Sequence, residues 1–188
     1  MLIILVNKKR ILKILLLIVV VLVMVWGYKP YLRKFEYPLK YSEYVTASAG
    51  KYGVDPYLIY SIIKAESKFD EDAISSKEAQ GLMQITPQTA QWAMDKMGLS
   101  SDADIFSPDV NIEVGSWYIA KLLYDHDNNL TAALAAYNAG STNVNEWKNE
   151  NGDITLEDIR FEETYDYVSK TLEYYENYKK LYPKGEIK

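Results

Sequence analysis

The stretch DPYLIYSIIKAES, from Asp55 to Ser67, decides much of the fold. Asp55 followed by Pro56 is a strong helix start, because an aspartate side chain caps free backbone amides and proline fits the first helical turn. The apolar residues that follow recur at helical spacing and predict a helix with an apolar stripe. Glu66 comes at the end of this helix, where the helix dipole and partial burial both raise the pKa of a carboxyl group. The stretch therefore predicts a core helix that carries an acid at its end.

Similar start and stop signals predict helices along most of residues 41 to 182. Residues 70 to 85 are the exception, because their polar turn residues leave room there for a small β-hairpin. The fold class predicted from these patterns is mainly α. The predicted helical segments are Tyr41 to Tyr52 before Gly53, Asp55 to Ser67, Thr86 to Gly98, Ser107 through Leu123, Leu130 to Tyr137 before Asn138-Ala139-Gly140, a turn through Val144 and Trp147, and Arg160 to Leu181.

The amino terminus predicts a membrane anchor. Met1 to Tyr28 contains no acidic residue, and Leu12 to Tyr28 gives roughly 26 Å of helix, just enough to cross a bilayer. A cleaved signal peptide is the alternative, but the apolar run is long and Val23 to Trp26 supplies no small-residue cleavage site. The predicted organisation is a cytoplasmic amino terminus at 1–10, a transmembrane anchor at 11–28, a stalk at 29–40, a globular domain at 41–182 and a tail at 183–188.

The catalytic groups available to this chain are few. It has no cysteine and a single histidine, His126, so conventional cysteine and serine triads cannot be assembled. The sequence carries no metal-ligand pattern, Walker loop or dinucleotide fingerprint, and neither a metal nor a cofactor is predicted. If the chain is an enzyme, carboxylates must do the chemistry.

The charge balance bears on the partners that the domain can bind. From residue 29 onward there are 17 basic and 26 acidic residues, a net charge of −9. Nucleic acid would be repelled, and bulk charge would not hold an anionic cell-wall polymer either. A polymer substrate must therefore be held locally, by hydrogen bonds and aromatic rings, and the seventeen tyrosines suit that style of recognition.

Three short strings could form a binding site, although each also has a structural explanation. They are Ala65-Glu66-Ser67, Gly81-Leu82-Met83-Gln84 and Ala136-Tyr137-Asn138-Ala139-Gly140. Glu66 could simply be exposed beside lysines, the Gln84 amide could satisfy a turn, and Asn138 could adopt a left-handed helix end. Taken singly, none of the three indicates a function.

As an ordered set, the strings resemble the transglycosylase domain of soluble-type lytic transglycosylases, a lysozyme-like fold related to goose-type lysozymes. The resemblance covers most of residues 41 to 182. This sequence departs from the family pattern at Glu78, where a glycine is often found, and at Thr86, where a methionine is frequent. The matching motifs are Ala65-Glu66-Ser67, Gly81 to Pro87, Asn111-Ile112 with Gly115, Ala136 to Gly140, and Glu163-Thr164 with Tyr167-Val168.

The resemblance implies cleavage of the β-1,4 bond between N-acetylmuramic acid and N-acetylglucosamine in peptidoglycan. Glu66 would first protonate the leaving oxygen and then act as base on the muramoyl C6 hydroxyl, which yields a 1,6-anhydro product without a second carboxylate. Glu163 would position the catalytic centre or Tyr137. The substrate-binding residues that the resemblance implies are Ser67, Met83, Gln84, Tyr137, Asn138, Glu163 and Tyr167.

The resemblance also implies a location and leaves two rival functions. Because peptidoglycan lies outside the membrane, the domain is expected on the outer side of the cell membrane, held by a single-pass anchor. The expected partners are peptidoglycan glycan strands and the membrane, and no protein partner is indicated. The rivals are a hydrolytic muramidase on the same fold and a non-catalytic wall-binding scaffold, which would have no need of the acid.

Overall fold

The chain divides into two compact units, Met1–Leu39 and Lys40–Lys188. The computed structural model describes residues 8–100, 102–148 and 152–182. Most of the predicted cytoplasmic segment at 1–10 and all of the predicted tail at 183–188 lie outside the described residues.

The first unit is built on one long helix, α1 (Lys8–Tyr31). Its part from Lys8 to Tyr28 has a mean hydropathy of 2.7 and is long and apolar enough to cross a membrane, with none of it buried within the protein. Pro30 lies inside the helix and does not end it. The backbone continues through a π-helical turn, Leu32–Glu36, which the Tyr37 amide closes by donating to the Leu32 carbonyl at 2.7 Å. Much of the segment predicted as a stalk is therefore helical.

The second unit is mainly α, as the sequence predicts. It contains seven α-helices and a short 3₁₀ turn at Leu156–Asp158 within the described residues. The helices are α2 (Ser42–Tyr52), α3 (Pro56–Glu66), α4 (Pro87–Met97), α5 (Pro108–Asp125), α6 (Leu130–Ala139), α7 (Ser141–Trp147) and α8 (Glu162–Leu181).

The helix boundaries follow the local signals closely. The Asp55 side chain accepts a hydrogen bond from the Tyr57 amide at 2.9 Å, and the Thr86 hydroxyl accepts one from the Thr89 amide. Gly53 ends α2 in the left-handed conformation, which costs glycine little. Ser107 differs: α5 starts beside it, but its hydroxyl donates to Asp109 and caps no backbone amide.

The core is centred on α3. All seven residues from Tyr57 to Ile63 are buried, so this helix is enclosed on every side and not only along one stripe. It packs mainly against α8, where the Tyr60 ring stacks on Tyr178 with centroids 5.5 Å apart. Helix α5 packs against α2 and α6. Burial of Tyr57 to Ile63 anchors α3, and hence positions the Glu66 backbone at the end of this helix.

Residues 70 to 85 form linked turns, and the described residues contain no strand. Two isolated antiparallel bridges, Ile74–Gln80 and Gln80–Ile85, stand where a small hairpin could have formed. Gly81 has a φ of 73° and lies against the side chain of buried Asn111, which leaves no space for a Cβ atom. Asn111 thus anchors this loop from α5.

Candidate active site

Glu66 is the last residue of α3, and its carboxyl group lies at a cavity. Its side chain is partly exposed to that cavity, yet burial by the surrounding protein raises the pKa of Glu66 from its ordinary 4.5 to about 7. The nearby Tyr167 hydroxyl opposes this rise, with the smaller effect. The sequence predicted a raised pKa from both the helix dipole and burial, and burial is the cause found. Near neutral pH, a large fraction of Glu66 is therefore a protonated acid.

The cavity next to Glu66 has a volume of about 200 Å³. It brings together five of the eight residues that the sequence analysis assigned to the site, from four different parts of the chain. The loop between α3 and α4 supplies most of the remaining wall. The lining residues are Glu66, Ser75, Ser76, Lys77, Ala79, Gln84, Thr86, Tyr137, Asn138 and Glu163.

Gln84 both braces the loop and lines the cavity. Its side-chain Nε2 donates to the Ala73 carbonyl at 3.0 Å and to the Gly81 carbonyl at 2.9 Å. Two carbonyl acceptors fix the orientation of the amide, because only its nitrogen can donate. Both N–H groups are used by the turn, so the group that Gln84 can offer to a ligand is its Oε1 acceptor.

Tyr137 connects helix α6 to the same loop. Its hydroxyl donates to the Met83 carbonyl at 2.8 Å, and burial raises the pKa of Tyr137 well above its usual range. Met83 is itself fully buried, and its amide donates to Asn111 Oδ1 at 2.7 Å. The Met83 side chain lies so close to Gly115 of α5 that a Cβ there would overlap it. The contacts of Met83 with Asn111, Gly115 and Tyr137 therefore hold the loop and the Tyr137 side chain in place.

Asn138 and Glu163 occupy the side of the cavity that faces α8. The Thr164 hydroxyl donates to Asn138 Oδ1 at 2.8 Å, which ties the end of α6 to the start of α8. Glu163 is exposed at the rim and lies 3.9 Å from Lys77 Nζ, with 77% of each side chain exposed. An ion pair this open to solvent contributes little to stability.

Three of the assigned residues do not line the cavity. The Ser67 hydroxyl donates to the Ile63 carbonyl at 3.2 Å and accepts from the Phe69 amide at 3.1 Å, so it closes the end of α3. Met83 is enclosed, as described above. The Tyr167 hydroxyl is buried near Glu66 and makes no hydrogen bond of ordinary geometry within the described part of the chain. Substrate contact by Ser67, Met83 and Tyr167 stays a prediction.

The sequence analysis missed several residues of the cavity wall. Ser75, Ser76 and Ala79 belong to the irregular loop, and Thr86 was given only as a helix start and as a departure from the family pattern, with no role in the site. Asn111 was matched as part of a motif without a role, yet its side chain also donates to the Gln80 and Ile105 carbonyls, at 2.9 Å each. A buried asparagine in an otherwise apolar helix face was the available signal for Asn111, because such a group needs hydrogen-bond partners.

A second, larger cavity of about 390 Å³ lies beside the start of α6. Its wall includes His126, Asn129, Lys148 and Asp153, and it contains neither Glu66 nor any residue of the three strings. Burial lowers the pKa of His126 below its usual range. Size alone does not identify the functional site, and the acid with a shifted pKa favours the smaller cavity.

Comparison with known proteins places the chain in a family. The family model described as the transglycosylase SLT domain matches residues 43–158, more than half of the chain. The chain belongs to this family. The match confirms the resemblance to soluble-type lytic transglycosylases and spans Glu66, the loop and the end of α6. Within residues 8–100, 102–148 and 152–182, no three or more histidine, cysteine or acidic side chains are grouped so that they could hold a metal ion.

Individual relatives agree on the fold. Membrane-bound lytic murein transglycosylase C of Klebsiella pneumoniae subsp. pneumoniae is 37% identical over 116 residues, which are 56% of this chain and 32% of the relative. An inactive glutamate-to-glutamine mutant of lytic transglycosylase Slt from Pseudomonas aeruginosa superposes with a TM-score of 0.72 at 32% identity, over 77% of this chain and 24% of that one. The 70 kDa soluble lytic transglycosylase of Escherichia coli superposes with a TM-score of 0.72 at 28% identity. The superposition covers 80% of this chain and 27% of that one.

These matches confirm the mainly α, lysozyme-like fold. The chain spans about a quarter to a third of the length of these relatives. The SLT domain match, residues 43–158, includes Glu66 and every other residue that lines the cavity except Glu163.

Proposed function

We propose that this chain is a membrane-anchored lytic transglycosylase that cleaves peptidoglycan, with Glu66 as its single acid and base. Family membership supports the reaction class, and the inactive glutamine mutant of the Pseudomonas relative supports an essential glutamate. The observation that carries the proposal is the position of the Glu66 carboxyl group at a polar cavity, together with the burial that raises its pKa to about 7.

In the first step Glu66 acts as an acid. The glycosidic oxygen takes the Glu66 proton as its bond to C1 of N-acetylmuramic acid breaks, and N-acetylglucosamine leaves with a free C4 hydroxyl. A pKa of about 7 suits this step, since an acid whose pKa lies close to the working pH is both protonated and able to give its proton up.

In the second step the same residue acts as a base. The Glu66 carboxylate takes the proton of the muramoyl C6 hydroxyl while that oxygen bonds to C1, which closes the 1,6-anhydro ring and restores the acid. No water is consumed. The reacting hydroxyl belongs to the substrate, so proximity replaces a second carboxylate. Glu163, the other carboxylate that lines the cavity, is exposed beside Lys77, and we assign it to positioning the catalytic centre or Tyr137.

The polar wall of the cavity would hold the sugar against Glu66. Gln84 would accept a hydrogen bond through Oε1, because its Nε2 is engaged by the loop. Asn138 would donate through its amide nitrogen, because its oxygen accepts from Thr164. An acetamido group carries one N–H donor and one carbonyl acceptor, which suits this pair.

The long apolar helix α1 would serve as a single-pass anchor, with the catalytic unit on the cell-wall side. The helix from Lys8 to Tyr28 supports this location by length and hydropathy, and the name of the Klebsiella relative includes membrane attachment. Protease treatment of intact protoplasts should remove the unit Lys40–Lys188. Protection of that unit from protease would contradict the orientation.

Lysis of purified peptidoglycan by the full chain in detergent tests the catalytic assignment. Glu66→Gln keeps the size of the side chain but removes its ionisable proton, so lysis should fall at least about a thousandfold. Asp70→Asn is the matched control, because Asp70 is an exposed carboxylate four residues further along the chain, and its lysis rate should stay within twofold. Retained lysis by Glu66→Gln would refute the assignment.

A further inference from the structure

The cavity beside Glu66 has one basic side chain in its wall. Among the described residues that line this cavity, only Lys77 is a lysine, arginine or histidine. Its Nζ lies 3.9 Å from a carboxylate oxygen of Glu163, so a cation from the loop stands beside an anion from α8. This separation is longer than a hydrogen bond. The cavity wall therefore carries a positive charge that the protein engages only weakly.

The loop holds the Lys77 backbone in place without using its side chain. The Lys77 amide donates to Ser75 Oγ at 3.2 Å, and the Ala79 amide donates to the same oxygen at 3.0 Å. The Lys77 side chain itself is exposed. The raised pKa of Glu66 has burial and the Tyr167 hydroxyl as its causes, and Lys77 is not one of them. Lys77 is therefore placed to contact a ligand without setting the protonation of the acid.

We propose that Lys77 determines substrate specificity by binding a carboxylate on the muramoyl arm, which is the lactyl ether at C3 of N-acetylmuramic acid with any peptide that it carries. This inference rests on the proposed function and names the part of the substrate that distinguishes its two sugars. N-acetylglucosamine lacks the arm. The lactyl carboxyl group is either free or joined to a peptide with carboxylates of its own. A lysine ammonium, with three N–H donors, suits either anion.

The charge of the chain makes a local cation necessary for such a contact. From residue 29 onward there are 17 basic and 26 acidic residues, so net charge repels an anionic arm. A carboxylate bound to Lys77 would take the place of Glu163. An ion pair as exposed as Lys77 and Glu163 contributes little to stability, so this exchange costs little free energy. Glu163 would thus keep the ammonium at the cavity until the muramoyl arm binds.

Binding to an inactive full chain separates this contact from catalysis. Glu66→Gln in detergent micelles is titrated by calorimetry with a tetrasaccharide of alternating N-acetylglucosamine and N-acetylmuramic acid that has free lactyl carboxylates. The second ligand is the same tetrasaccharide with each carboxylate converted to a neutral methylamide, and the third carries the peptides. A carboxylate-bearing ligand should bind about fivefold more tightly than the methylamide at low salt. Salt at about 1 M should remove most of this preference.

Substitutions at Lys77 test whether this side chain causes the preference. Lys77→Ala should abolish it, whereas Lys77→Arg should retain it, because arginine keeps a cation on a long side chain. Lys179→Ala is the matched control. Lys179 also forms an exposed ion pair, with Glu176 at 2.8 Å, but it lies near the opposite end of α8 from Glu163. Its removal should leave the preference within twofold.

The third ligand identifies the source of the carboxylate. A preference for the free lactyl form that depends on Lys77 supports the inference and assigns the contact to the lactyl group. A preference for the peptide-bearing form alone, again dependent on Lys77, supports it and assigns the contact to the peptide.

Other outcomes overturn the inference or separate it from the proposed reaction. A preference that Lys77→Ala leaves within twofold overturns the inference, as does no preference in the Glu66→Gln chain or binding of no ligand. Equal weakening of all three ligands by Lys77→Ala also overturns it, because it would indicate a disturbed loop. A preference that depends on Lys77, in a chain whose wild type forms no anhydro product, would support the role of Lys77 and refute the reaction. Anhydro product without any such preference would refute only the role of Lys77.

Discussion

Replacing Glu66 with glutamine should change the stability of the folded chain in a pH-dependent way. The folded state holds the Glu66 proton up to a pKa of about 7, whereas an unfolded glutamate loses it near 4.5. Below pH 4.5 both states are protonated, and the contribution of this group to stability is fully present. Between pH 4.5 and 7 the folded state binds more protons, so stability falls as pH rises. Above about pH 7 both states are ionised and the loss is complete.

The size of the effect follows from the two pKa values. Each pH unit between them removes about 1.4 kcal/mol of unfolding free energy, which gives a total of about 3 kcal/mol. Glutamine does not ionise in this range, and the nearby Tyr137 and Tyr167, whose pKa values burial raises well above their usual range, stay protonated throughout it. The difference in unfolding free energy, Glu66→Gln minus wild type, should therefore rise by about 3 kcal/mol from pH 4 to pH 8.

Urea unfolding of the unit Lys40–Lys188, followed by circular dichroism at pH 4, 6 and 8, measures this difference. The unit has its own buried core, so it can be studied without the apolar helix. Asp70→Asn removes an exposed carboxylate as a control and should stay within about 0.5 kcal/mol of wild type. A Glu66→Gln difference that is constant from pH 4 to pH 8 would refute the raised pKa, and with it the account of Glu66 as an acid.

Four further outcomes test the site and the packing that supports it. The rate of peptidoglycan lysis should fall about tenfold per pH unit above pH 7, as Glu66 loses its proton; a rate that rises through pH 7 would contradict this. Asn111→Ala removes three hydrogen bonds and should lower the unfolding free energy in urea by about 2–4 kcal/mol. Gly115→Ala should cost about 1–3 kcal/mol by overlap with Met83, and the double variant with Met83→Ala should cost less than the sum of the single ones. Glu78→Gly should add about 0.5–1 kcal/mol, because Glu78 has a φ of 62° that glycine adopts more easily.

Local signals explain why the helices could be predicted from the sequence. Asp55-Pro56 and Thr86-Pro87 act within one helical turn, and the observed starts of α3 and α4 lie at those positions. Gly53 and Gly98 end helices for an equally local reason, the left-handed conformation. Such signals need no knowledge of distant residues, so they are readable in one sequence.

The cavity wall depends on distant contacts and was predicted less completely. The loop from residue 70 to 85 is held by Asn111, which lies 28 residues beyond Met83 in the sequence, and no local pattern specifies that contact. Consequently Ser75 and Ser76 could not be assigned to the cavity. For Ser67 the motif predicted substrate contact, but its hydroxyl makes local hydrogen bonds at the end of α3, which the motif does not reveal.

The Pro30 region has a backbone conformation that the sequence analysis did not specify. Residues 29–40 were predicted as a stalk, and that prediction stays untested, but the backbone is helical through Glu36. A wider π-helical turn follows directly after the helix and keeps its amides paired, so the proline does not end the helical path. A proline in a sequence indicates the loss of one backbone N–H donor, but it does not show the neighbouring backbone hydrogen bonds that can compensate for that loss.

Mass spectrometry of peptidoglycan digested by the full chain tests the central claim most directly. Every new muramic acid end should be a 1,6-anhydro ring, because the C6 hydroxyl of the substrate and not water attacks C1. Digestion in ¹⁸O-labelled water should leave these ends unlabelled, and Glu66→Gln should produce none. Reducing, ¹⁸O-labelled muramic acid ends would contradict the account and identify a hydrolytic muramidase.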